Sequence, residues 1–194
     1  MEKDFFYKIR QYPIIAAINN IKDFEEAVHS HCEIIFLLIG NIFNLKDMVE
    51  MIKQVRKNVY VHIDLMDGLS RDLTALKYIH KIIKPDGIIT TRSNLIKKAK
   101  DMNIFCIQRI FVLDSLSLET GIQSIKETKP DAIEILPGIM PKIIKKISRE
   151  TNSPIIAGGL IEENENVIEC LHANAIGVSS SNKFLWLQAH RIFT

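Results

Sequence analysis

The sequence is poor in cysteine. Its three cysteines, Cys32, Cys106 and Cys170, are widely spaced and odd in number, and no CxxC pair or Cys/His cluster has metal-ligand spacing. This argues against a zinc ribbon or a disulfide framework and reads as buried thiols in a reducing compartment. Long hydrophobic runs are also missing. The longest uninterrupted apolar stretch, Ile34 to Ile39, is far short of the ~20 residues that span a bilayer. The first residues, Met-Glu-Lys-Asp, bring acid where a secretory signal would be basic and then apolar. The expected location is therefore the cytoplasm, with no membrane partner. A large charge excess is absent too: 25 Lys and Arg face 23 Asp and Glu, a net +2. That balance does not announce a nucleic-acid binder, although a local basic patch can serve one. No low-complexity linker or compositional break divides the 194 residues, so a single domain over 1–194 is expected.

What is present is a regular alternation. Eight short aliphatic or β-branched runs recur at nearly even intervals: Ile14–Ile18, Ile34–Ile39, Val59–Leu65, Gly87–Thr91, Ile104–Phe111, Ala132–Leu136, Pro154–Ala157 and Ala175–Val178. They lack polar alternation, as strands covered on both faces do. Amphipathic segments lie between them. In the segment from Leu45 to Arg56, for example, Leu45, Met48, Val49, Ile52 and Val55 fall at helical spacing. Turn residues mark the joints, at Lys84-Pro-Asp-Gly87, Lys129-Pro-Asp131, Thr151-Asn-Ser-Pro154 and His172-Ala-Asn174. Strands alternating with helices predict an α/β fold with a parallel sheet. Eight strands fit a closed (β/α)8 barrel, at the short end of a size nearer ~250 residues, so the first and last helices are expected to be brief or missing. The rival, a doubly wound open sheet, normally has a glycine-rich loop after its first strand. Here Ile14-Ile-Ala-Ala-Ile-Asn-Asn holds no glycine.

A barrel of this kind works at the C-terminal ends of its strands, and those ends are polar. The third run holds His62, Asp64 and Asp67; the fourth ends in Thr90-Thr-Arg-Ser93. The fifth carries Gln108 and Arg109, followed by Asp114, and the sixth Glu134. The seventh ends in Ala157-Gly-Gly-Leu160 and the eighth in Ser179-Ser-Ser-Asn182. Loops after strands seven and eight often hold phosphate. Amides at Gly158 and Gly159 can approach an anion closely, and Ser179 and Ser180 add hydroxyl donors at the start of a helix, with Ser181 left to cap it. The plainer alternative is that Gly-Gly turns and a serine caps. Arg92 and Arg109 suit phosphate or a carboxylate partner among Glu134, Asp64 and Asp114.

The stretch "HIDLMDG" resembles the HxDxMDG motif of ribulose-phosphate 3-epimerases, also phosphate-binding barrels. In that family it closes the second strand, whereas here it closes the third, and the family's further strand-end histidine has no counterpart. No metal or other cofactor is expected. His62 reads as a satisfied core histidine and Asp64 as an acceptor for ligand hydroxyls.

Across nearly its whole length the chain resembles the glycerol-3-phosphate-responsive antiterminators. The stretches that carry the resemblance include "VHIDLMDGL", "DGIITTRSNLIKKAK", "IQRIFVLDS", "IEILPGIMPKII", "SPIIAGGLI" and "AIGVSSSNKFLW". The resemblance implies a barrel that senses glycerol 3-phosphate and acts, when liganded, on the leader of messenger RNA for glycerol catabolism, without catalytic turnover. The phosphate would lie over Gly158, Gly159, Ser179 and Ser180, with Asp64, Arg92, Arg109 and Glu134 around the glycerol moiety. Two positions depart from the family pattern. Asn19 stands where the family often has lysine, and Asp67 where it more commonly has glutamate.

For RNA, Lys142, Lys145, Lys146 and Arg149 follow i, i+3, i+4, i+7 after the sixth strand, and Lys97, Lys98 and Lys100 follow the fourth. Such stripes can neutralise phosphates, or simply be solvated helix faces. No stacking aromatics accompany them. A homo-oligomer is compatible with the sequence. The alternative function is a sugar-phosphate epimerase or isomerase using Asp64.

Overall fold

The computed structural model describes residues 2–188. Its eight strands are β1 (Ile14–Ile18), β2 (Ile34–Leu37), β3 (Asn58–His62), β4 (Gly87–Thr90), β5 (Cys106–Phe111), β6 (Ala132–Leu136), β7 (Ile155–Gly158) and β8 (Ala175–Ser180). All pair in parallel and in chain order, and β1 closes onto β8 through Ile14↔Val178, Ile15↔Ser179 and Ala16↔Ser180. The fold is the (β/α)8 barrel, and the open-sheet alternative is excluded by that closure. The helices after the strands are α2 (Phe24–His29), α3 (Leu45–Gln54), α4 (Leu73–Tyr78), α5 (Ser93–Asp101), α6 (Ser115–Thr128), α7 (Pro141–Thr151), α8 (Asn164–His172) and α9 (Lys183–Gln188). A π-helical turn, Ile79–Ile83, extends α4. Among the described residues, no helix is long and apolar enough to cross a membrane.

The apolar residues divide into two sets because side chains alternate across a strand. Residues facing outward meet the helices, as α3 does with Leu45, Met48, Val49 and Ile52. Val55, expected on that face, instead follows the helix and is exposed. Residues facing inward form a separate cluster that includes Ile15, Tyr60, Ile89, Ile107, Ala132 and Ile156. This cluster also holds Phe5 and Ile9, from a helix ahead of β1 that the strand-to-helix reading did not foresee: α1 (Glu2–Gln11). It plugs the N-terminal end of the barrel. Phe5 lies 5.2 Å from Tyr60 and 4.9 Å from Phe105 between ring centroids. Gly177 makes room for the plug, since a Cβ there would stand 2.6 Å from Ile9 Cδ1.

All three cysteines are buried and free, and burial pushes the Cys32 and Cys106 thiols up to about 12. The joints at the N-terminal end share another feature. Six helices or their extensions are followed by a residue with left-handed backbone: Arg56, Lys84, Asn103, Lys129, Asn152 and Asn174. Asparagine tolerates this conformation, whereas other side chains pay roughly 1–2 kcal/mol for it. A cation at a helix C-terminus recovers about 0.3–1 kcal/mol of that.

Candidate functional site

Two residues further along four of the inward columns, the apolar residues of the barrel interior give way to polar side chains or glycine. Ile107 is followed by Arg109, Ala132 by Glu134, Tyr60 by His62 and Ile156 by Gly158. Arg109 and Glu134 are in register across β5 and β6, and Arg109 Nε donates to Glu134 Oε2 at 2.6 Å. The other carboxylate oxygen accepts from Ser179 Oγ at 2.5 Å. All three side chains are buried. Gly158 is in register with Ser179, and a Cβ on it would lie 2.6 Å from Ser179 Oγ and 2.8 Å from Glu134 Oε1. Its lack of a side chain lets this link cross the barrel. The terminal amino groups of Arg109 have no hydrogen-bond partner among the described residues.

Above the link opens a cavity of about 400 Å³, with Asn19, Arg109, Glu134, Gly159, Ser180 and Asn182 among its lining residues. Gly159, at φ +74°, turns the chain at its edge, and the β6–α7 and β7–α8 loops join there through Gly138 N donating to Gly159 O. The volume is that of a small-molecule site. Its one buried cation and its Gly/Ser rim suit a compact anion carrying hydroxyl groups.

The structure distributes the expected site residues unevenly. Arg109, Glu134, Gly159, Ser179 and Ser180 converge on the cavity, and Gly158 lies beneath it. Asp64 does not line it. β3 stops at His62, and Asp64 sits in a 3-10 turn, where it accepts from Thr90 Oγ1 and from Thr91 N and Oγ1. Arg92 does not line the cavity either: its side chain is 46% exposed, with Nε 3.7 Å from Asp64 Oδ1, one of its expected carboxylate partners. Asp114 caps α6 through Ser117 N instead of pairing with an arginine.

The serine roles also shift. Ser180 Oγ donates to Ile161 O at 2.7 Å and accepts from Asn182 N, so that hydroxyl is engaged within the fold. The cap of α9 is Asn182, whose Oδ1 accepts from Phe184 N, and not Ser181, which lines the cavity. An asparagine directly before Lys183-Phe-Leu-Trp was the available signal. His62 is buried, but it is not satisfied: its Nδ1 has no partner. Burial foremost, then the nearby Arg109 charge, pushes its pKa down to about 4, against a smaller opposing pull from Asp64. Among the described residues, no group of three or more His, Cys, Asp or Glu side chains stands in metal-binding geometry.

On α7, Lys142, Lys145, Lys146 and Arg149 are all exposed, with Lys146 4.0 Å from Glu150. Of the α5 lysines, Lys100 pairs with Asp131 at 2.5 Å and Lys97 approaches Glu127 at 3.9 Å.

Residues 14–186 match the family described as glycerol-3-phosphate responsive antiterminator. The chain belongs to that family. A crystal structure of the glycerol uptake operon antiterminator regulatory protein from Listeria monocytogenes is 40% identical, with a TM-score of 0.86, over 89% of this chain and 94% of that one. A glycerol uptake operon antiterminator-related protein from Thermotoga maritima is 34% identical, TM-score 0.81, over 90% and 98%. The "Uncharacterized protein YgcP" of Escherichia coli K12 is 33% identical over 184 residues, 95% of this chain and 96% of the relative. As an antiterminator-family barrel, the chain keeps its polar residues where the fold places its functional end.

Proposed function

We propose that this antiterminator-family barrel senses glycerol 3-phosphate at the mouth cavity and, when liganded, binds leader messenger RNA of glycerol-catabolism genes to promote transcriptional read-through. The observation that carries the effector assignment is Arg109. Its side chain is 7% exposed, pinned at Nε by Glu134, and lines with its unpartnered terminal donors a small cavity rimmed by Gly159 and Ser181. A phosphate there gains charge-assisted hydrogen bonds. Asn19 and Asn182 offer groups for the glycerol hydroxyls. Ser179 and Ser180 contribute chiefly backbone and shape, because their hydroxyls are already bonded. Asn19 in place of lysine removes one charge from this rim. Sensing without turnover is supported by the carboxylates: Asp64 is spent on Thr90 and Thr91, and Glu134 on Arg109 and Ser179, so neither is a free base.

Titration calorimetry with glycerol 3-phosphate tests the effector. One-to-one binding that is lost in Arg109→Met is expected. Absence of heat and of any thermal shift overturns it. Filter binding of the leader transcript with and without glycerol 3-phosphate tests the regulatory step; effector-independent binding counts against it.

A further inference from the structure

We propose that the trough between α3 and the π-helical end of α4, running down the barrel flank away from the mouth, is the surface that grips the RNA phosphate backbone; this rests on the RNA-binding reading above. Two adjoining cavities of about 430 and 460 Å³ form the trough, and both are lined by Lys53, Lys81 and Lys84. Lys46 extends the line upward and His80 lies in the lower part. Two carboxylates share these walls, and both are occupied. Glu50 lies 3.7 Å from Lys46, and Asp86 lies 3.4 Å from Lys53 while its other oxygen accepts from Val59 N. Lys81 and Lys84 have no ion pair among the described residues. Ile82, half exposed between them, offers an apolar contact for a ribose or base.

A second observation points the same way. Of the six left-handed residues at the N-terminal joints, those after α5, α7 and α8 are asparagines. Those after α3, α4 and α6 are Arg56, Lys84 and Lys129, all exposed, and of these Lys84 lines the trough. The helix dipole favours a cation at all these ends, and at Lys84 that cation faces the trough. Charge retained at a strained position in a concave cationic surface suits a polyanion. The α7 stripe is weaker: its cations line neither cavity, and Glu150 stands within 4.0 Å of both Lys146 and Lys126.

The test is a salt titration of leader-transcript affinity, at saturating glycerol 3-phosphate, for the full chain and for Lys81→Gln combined with Lys84→Asn. Each lost phosphate contact lowers the log–log salt slope by about 1, so the double variant should show a slope shallower by about 2. Lys84→Asn should at the same time raise the melting temperature, because asparagine fits the left-handed backbone, and glycerol 3-phosphate binding should be unchanged. A structural lysine does not predict weaker RNA binding with a firmer fold. If the unaltered chain binds the transcript and the double variant matches its affinity and slope, the trough is overturned and the RNA reading stands. If the unaltered chain fails to bind the transcript, both fall.

Discussion

The two ends of this barrel are built by the same strands under the same alternation, yet they do opposite things. At the N-terminal end the inward column is Tyr60, Ile107, Ala132 and Ile156, sealed by Phe5 and Ile9 from α1. One inward step further, the column is His62, Arg109, Glu134 and Gly158. The apolar end contributes burial free energy and has no specificity to offer. The polar end costs desolvation and holds chemistry. Apolar packing and polar side chains are therefore separated along the barrel axis, and substitutions at the two ends should fail in different ways.

The sharpest break is Phe5→Ala. Removing a fully buried ring from the plug should cost about 3–5 kcal/mol in denaturant unfolding. Glycerol 3-phosphate affinity should be unchanged where the variant is folded. Glu134→Gln comes next. It leaves the Arg109 charge without its buried counter-ion, and about 3 kcal/mol of stability should be lost together with effector binding.

The third is a pH effect. His62 titrates near 4 in the folded chain, against an ordinary value of 6.5. Below 6.5 the unfolded chain takes up a proton that the folded chain refuses, so stability falls as pH drops from 6.5 toward 4. The size is about 3 kcal/mol, and unfolding of His62→Gln across that window should lose most of the slope. Gly159→Asp should abolish effector binding by putting a carboxylate at the cavity rim. Its cost to folding should be only about 1–2 kcal/mol, from side-chain strain at φ +74°. Smallest of all, Lys145→Ala with Lys146→Ala should leave stability within about 0.5 kcal/mol and effector affinity intact, as calorimetry and thermal melting will show.

The strand pattern was legible because parallel barrel strands are apolar on both faces. β1 and β6 have the bounds expected, and the other six differ only at their ends. The plug was not legible. "DFFYKIRQ" lies ahead of the first strand run, and only the closed barrel shows that it is a helix whose Phe5 and Ile9 enter the interior. At the mouth, Arg109, Glu134 and Gly159 could be placed from the sequence because the first two are charged residues inside the apolar β5 and β6 runs and the third directly follows β7. Asp64 could not. Period-2 alternation put it beside His62, but the chain leaves the strand at His62, and the threonines at 90 and 91 capture the carboxylate. Hydrogen-bond commitments of this sort, like Ser180 to Ile161 O, depend on loop neighbours distant in sequence.

A tube corked at one end has one door. With Ile9 seated against Gly177, the interior is closed from below, so a molecule bound under the mouth would have to leave by the way it entered. Any partner that covers the mouth therefore slows arrival and departure alike. Occupancy would then be set before the cover closes, and held afterwards for as long as the cover stays.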